Sequence, residues 1–183
     1  MTPLYIVLVL LGLLGLLVAL SYNHLVRLRN KVGEAWRDVD VQLERRHDLI
    51  PRLVEVVKGY AAHESALFEQ LASLRSEAGQ ARGAAAQSAP ELELGGALER
   101  AVAVAEDYPE LRASDSYLKL QKEIANTEDE LAASRQIYNG NVRIYNTRIQ
   151  TFPVSAYADV LGFEPADFFQ ADERDRVPLP AIV

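Results

Sequence analysis

From Leu4 to Leu20 every residue is apolar, aromatic or glycine. With Pro3 and Tyr22 the stretch approaches the ~20 residues a helix needs to cross a bilayer. The pattern then changes character. Apolar residues recur at Leu25, Leu28, Val32, Ala35, Val39 and Leu43, the three-and-four spacing of a helix with one buried stripe. No Gly-Pro punctuation separates the two runs, so they are predicted to form one rod from about residue 4 to about residue 46. Asp48 followed by Leu49-Ile50-Pro51 predicts a new start, with an N-cap side chain and a proline in the first turn, where its missing N–H is not needed. A kinked continuation of the first helix is the alternative.

The second helix is expected to reach about Glu77, with Ile50, Leu53, Val57, Tyr60, Leu67, Leu71 and Leu74 on one face. Gly79 to Pro90, rich in Gly, Ala, Ser and Gln, reads as a loop or frayed helix end. A third helix follows from about Glu91 to Glu106, with Leu94, Leu98, Val102 and Ala105, and stops before Tyr108-Pro109. The fourth begins near Ser114. It holds its period through Leu120, Ile124, Leu131, Tyr138, Val142, Tyr145 and Ile149 until Thr151-Phe152-Pro153. Asn139-Gly140 is a hairpin dipeptide in strand contexts. Here the apolar period runs through it, so the helix is kept and the glycine costs about 1 kcal/mol. A short helix is expected over Ser155 to Leu161, and then a mobile tail. The fold class is therefore all-α: an N-terminal transmembrane helix continuing into an up-and-down four-helix bundle. The division is 1–22 anchor, 23–169 bundle domain and 170–183 tail.

Charge orients the anchor. Arg27, Arg29 and Lys31 follow the apolar run before the first acid, Glu34, so the C-terminal side is predicted to be cytoplasmic and the N-terminus outside. No Lys or Arg precedes the run, and Val18-Ala19-Leu20-Ser21 is a poor cleavage site, which favours a retained anchor over a signal peptide. Tyr5 and Tyr22 bracket the span as interfacial rings. Gly12 and Gly15 are three apart, so the small-residue dimer spacing of four is not met. A net charge of −7 argues against nucleic acid as a partner. The absence of cysteine excludes disulfides, thiolate metal sites, a cysteine nucleophile and a lipidated cysteine.

Little in the chain suggests a reaction. His63-Glu64 resembles the front of a zinc-protease motif, but Leu67 stands where the second histidine would be. His24 and His47 are expected to be solvated or locally capping, and no metal or cofactor is predicted. The informative polar set is Glu128, Arg135, Asn139 and Asn146, spaced seven, four and seven along the fourth helix. On the first helix Asp40 and Gln42, with Trp36, lie beside the apolar stripe, while Arg45, Arg46 and Asp48 crowd its end. One reading is a ligand or partner groove. The other is a hydrogen-bonded polar layer that fixes bundle register, since buried charge must be paired. If Arg135 is the cation of such a layer, its partner is Asp40 or Glu128. Trp36 is expected inside the bundle.

The chain resembles the LemA family. The resemblance rests on Tyr22-Asn23 with Leu25-Val26, Ala35-Trp36 with Asp40-Val41-Gln42-Leu43, and Arg46-His47-Asp48-Leu49-Ile50-Pro51. It continues with Val57-Lys58-Gly59-Tyr60-Ala61, Ala103-Val104-Ala105-Glu106-Asp107-Tyr108-Pro109, Tyr138-Asn139, Tyr145-Asn146, Phe152-Pro153, Gly162-Phe163 and Phe168-Phe169. It implies a single-pass protein of the bacterial inner membrane with a cytoplasmic four-helix bundle, and no catalytic residues. Members of the family in magnetotactic bacteria, linked to forming magnetosome membranes, imply scaffolding at a membrane. The functional expectation is a non-enzymatic scaffold that self-associates or docks a protein partner at the bilayer. An adaptor or regulator of another membrane protein, such as a protease or transporter, is the alternative, and a small-ligand binder using the Arg135–Asn139 stripe is a third class.

Overall fold

The structure, a computed structural model, describes residues 2–61 and 63–170; of the tail expected over 170–183, all but Gln170 lies outside them. Five α-helices follow in order: α1 (Thr2–Lys58), α2 (Ser65–Gln80), α3 (Ala84–Glu106), the short α4 (Pro109–Arg112) and α5 (Asp115–Gln150). A 3-10 turn at Val154–Ala156 precedes an extended segment over 163–170. The described residues contain no strand.

α1 is one unbroken helix of 57 residues, about 85 Å long at 1.5 Å per residue. Its N-terminal part is long and apolar enough to cross a membrane, and the side chains of Leu4 to Leu17 are all exposed. Beyond Leu25 the same helix becomes amphipathic. Leu25, Val32, Ala35, Val39 and Leu43 are buried, as the period predicts, and the phase carries on through Ile50, Leu53 and Val57.

The helix does not restart at Asp48–Pro51. It passes through Pro51 and ends at Lys58, so residues 49–58 belong to α1 and α2 begins at Ser65. A proline inside a helix removes the hydrogen bond to the carbonyl four residues back. Here that carbonyl is His47 O, and it accepts a bond from Arg75 Nε of α2 at 2.7 Å. The defect is thereby satisfied from a neighbouring helix, while the ring of Pro51 stays at the surface. Arg75→Ala should cost about 1–3 kcal/mol through the orphaned carbonyl. Thermal unfolding of Arg75→Ala in a Pro51→Ala background, where the N–H is restored, should show most of that loss recovered.

Two other boundaries move. Residues 84–90, expected as loop, form the first two turns of α3, because Ala84 and Gln87 fall on its buried stripe and alanine is the best helix former. The α2–α3 connection shrinks to Ala81–Gly83, where Gly83 adopts φ +82. The short helix expected over Ser155 to Leu161 is only the 3-10 turn followed by irregular turns, which end at Gly162 with φ +74.

α1 and α5 run antiparallel as the backbone of the bundle. Lys31 O meets Asn141, Trp36 stacks against Tyr138, Arg46 faces Glu128 and Arg52 faces Glu123. The seven α5 positions read as apolar face, Leu120 to Ile149, are all buried. The hydrophobic interior divides in two. One cluster, built on Leu49, Leu53, Phe68, Leu71, Leu98 and Tyr117, joins the far half of α1 to α2, α3, α4 and the start of α5. The other, built on Leu25, Val39, Leu43, Tyr138, Tyr145 and Phe169, joins the middle of α1 to the end of α5 and the C-terminal segment.

Candidate functional site

Between the two apolar clusters lies a polar layer made by three helices. Arg46 of α1 is 3% exposed and Glu91 of α3 is fully buried. An Arg46 amino group donates to the Glu91 carboxylate and to the Glu91 carbonyl, the latter at 3.1 Å. Its other amino group faces Glu128 of α5 at 3.4 Å. His47 Nε2 stands 2.8 Å from the second Glu91 oxygen. Gln87 and Thr127 complete the layer, Thr127 bonding back to Glu123 O at 2.9 Å. Burial by itself pushes the Glu91 carboxyl up. The nearby His47 imidazole and the Arg46 guanidinium outweigh that effect and hold it below the usual 4.5.

Above this layer the bundle is open. α1 packs on α5 and α2, and α2 packs on α3, but α3 and α5 meet only lightly. A groove of about 870 Å³ runs between them. Its walls include Gly95 and Gly96 of α3, and Ile124 and Ala132 of α5. Arg46 reaches the groove from below, while Glu99, Glu106, Asp129 and Arg135 are among its polar lining. Gly95 brings the α3 backbone close to the Arg46 guanidinium; a Cβ there would sit 3.4 Å from its amino group.

A second constellation holds the C-terminal segment. Asn139 Nδ2 donates to Phe169 O at 2.9 Å, and Phe169 N donates to Asn139 Oδ1 at 3.0 Å. Asn146 repeats the arrangement with Ala166, at 2.8 and 2.9 Å. The spacing explains the pairing: seven helical residues and three extended ones both span about 10 Å. Tyr138 donates to Asp167 O at 2.7 Å between them. Burial, and secondarily the charge of Asp167, push the Tyr138 hydroxyl up to about 12, so it remains a donor at neutral pH. Trp36, half-buried, is flanked by Tyr138 and Phe169 with ring centroids 5.1 and 5.4 Å away. At the other end Phe163 lies between Tyr22, at 5.4 Å, and the Arg29 guanidinium, at 5.3 Å.

Four residues of the six-residue polar stripe are thus divided among three places, and Asp40 and Gln42 join none of them. Asn139 and Asn146 bind the C-terminal segment. Glu128 borders the polar layer, and Arg135 stands half-buried at the groove. Asp40 is half-buried, and Gln42, also half-buried, accepts a hydrogen bond from Arg45 at 3.5 Å. The buried cation is Arg46, and its main partner is Glu91, a residue outside the stripe. His47 is neither solvated nor capping but placed against Glu91. A signal for the layer was present: Arg46, Gln87, Glu91 and Thr127 each occupy a position that the helical period assigns to the apolar face. Of the three basic residues following the span, Arg29 contacts Phe163, Lys31 lends its carbonyl to Asn141, and all three including Arg27 are exposed.

The chain is similar in sequence to several known proteins. Magnetosome protein MamQ 2 of Paramagnetospirillum magneticum is 26% identical over 186 residues, covering 87% of this chain and 68% of that protein. Magnetosome protein MamQ of Magnetospirillum gryphiswaldense is 24% identical over the same shares. Protein LemA of Metamycoplasma hominis is 27% identical over 159 residues, covering 85% of this chain and 71% of its own length. The family model described as the LemA family matches residues 35–181, from the amphipathic half of α1 through the clamped C-terminal segment, and the chain belongs to the LemA family.

Proposed function

We propose that this protein is a non-enzymatic helical module held at the bacterial inner membrane, with its N-terminus outside and its bundle in the cytoplasm, where it docks a protein partner or another copy of itself. The observation that carries the reading is the open seam between α3 and α5. A four-helix bundle has four such seams; here three are packed and the fourth is left as a groove about four turns long. Its mix of apolar walls and acidic rim suits the apolar face of an amphipathic helix carrying basic flanks. That the relatives include proteins named for the magnetosome supports a role in membrane organisation. The alternative, a one-to-one adaptor of another membrane protein such as a protease or transporter, would use the same groove.

A photo-crosslinking residue at Ala132, exposed on the groove wall, tests the reading in native membranes. Discrete protein adducts at Ala132, absent when the probe is moved to Glu44, exposed on α1 and away from the groove, are the expected result. Adduct mass then distinguishes a second copy from a different protein. Equal, diffuse labelling at both positions would remove the groove as the docking site. A reporter fused after Val183 should be active inside the cell; activity outside would reverse the orientation.

A further inference from the structure

The turns over 151–162 carry the two most exposed large apolar side chains among the described residues, Phe152 at 81% and Val160 at 88%. A soluble surface tolerates scattered apolar residues, but these two have a particular place. The antiparallel register of α1 and α5, extended to Gln150, brings the end of α5 beside His24. Immediately after the turns, Phe163 packs edge-on against Tyr22, at the end of the apolar stretch. Both ends of the segment therefore lie at the level where α1 leaves its bilayer-length portion. We propose that residues 151–162 form a second membrane contact, with Phe152 and Val160 seated in the lipid interface next to the emerging helix.

The proposal rests on the reading of Leu4–Leu20 as a membrane span. Given that span, the bilayer surface lies where the exposed side chains are, and leaving them in water forgoes burial that the interface supplies. Basic side chains stand just above: Arg27 and Lys31 on α1 and Arg143 on α5 are exposed, a distribution that anionic headgroups favour. Asp159 and Glu164 share the level of the turns, so apolar contact and not charge carries the attachment. The consequence is a two-point mount in which the bundle is held by α1 and by its own base.

The absence of native cysteine allows a direct test. Single cysteines at Phe152, Val160, Leu13 and Leu118 are labelled with an environment-sensitive fluorophore. The full-length protein is then reconstituted in phosphatidylcholine–phosphatidylglycerol vesicles containing lipids with a nitroxide near the top of the acyl chain. Leu118 lies at the far end of the bundle and is 47% exposed. Labels at 152 and 160 should be blue-shifted relative to 118 and quenched severalfold more strongly. If they are quenched no more than 118 while Leu13 is quenched, the second contact is overturned and the span survives. Blue shift without quenching would mean that protein covers the turns, and would also overturn it. An unquenched label at Leu13 would remove the span and the proposal with it.

Discussion

Arg46→Met should destabilise the bundle by about 3–5 kcal/mol, because it strips the fully buried Glu91 of the Arg46 guanidinium. The buried pair is expensive to form and more expensive to break. Removing both charges in Arg46→Met/Glu91→Leu should therefore recover most of the loss, since an apolar pair of similar volume joins the two hydrophobic clusters into one. Denaturant unfolding of full-length protein in detergent, followed by helical circular dichroism, measures both variants. A loss below about 1 kcal/mol for Arg46→Met would place the layer among solvent-screened pairs, like Arg45–Glu130 and Arg52–Glu123 on the surface. Proton linkage supplies a second reading of the same site. Glu91 is held below its ordinary 4.5 in the folded protein, so its contribution is complete above that pH and is lost as the pH falls through the folded value. Stability of the parent should decline on acidification below about pH 4.5, and Glu91→Gln should decline less over the same window.

Phe169→Ala should cost about 3–5 kcal/mol if the extended segment stays in place. The ring is fully buried beside Trp36, and its loss opens a cavity in the second apolar cluster. The ceiling on this cost is the free energy of detaching residues 163–170 altogether, since a segment held by a few side chains can open without global unfolding. Trp36 distinguishes the two outcomes. Detachment exposes the indole and shifts its emission to the red; simple cavity formation leaves it largely shielded. Asn139→Leu and Asn146→Leu each remove a pair of backbone bonds and should promote detachment by roughly 1–3 kcal/mol. Unchanged unfolding and unchanged Trp36 emission in all three variants would show that the segment contributes nothing to stability.

The parts of this fold that sequence made legible are those governed by a repeating local rule. The apolar period of α1 and the whole of α5, including its passage through Asn139-Gly140, depend on residues three and four apart. Failures came where the deciding partner is distant. Pro51 has the same local signature whether it starts a helix or interrupts one; the outcome turned on Arg75, whose Nε reaches the exposed carbonyl from another helix. Ala84 to Ala89 carry no large apolar residue, so a stripe of Ala84, Gln87 and Glu91 looked like the absence of one. The asparagine clamp was legible as residues but not as a function. Nothing in the spacing of Asn139 and Asn146 discloses that a strand-like segment of matching repeat follows twenty residues later.

α1 has no break between the bilayer-length portion and its end at Lys58, and the domain is assembled along it. From Leu20 to Lys58 the helix reaches roughly 57 Å. With its apolar portion in a bilayer, α1 is a lever whose short arm sits in lipid. Transmembrane helices change tilt when hydrocarbon thickness changes, and a change of about 10° carries the Lys58 end sideways by roughly 10 Å. With the apolar portion in a bilayer, the thickness of that bilayer would set the position of the α2–α3 hairpin, which hangs from that end.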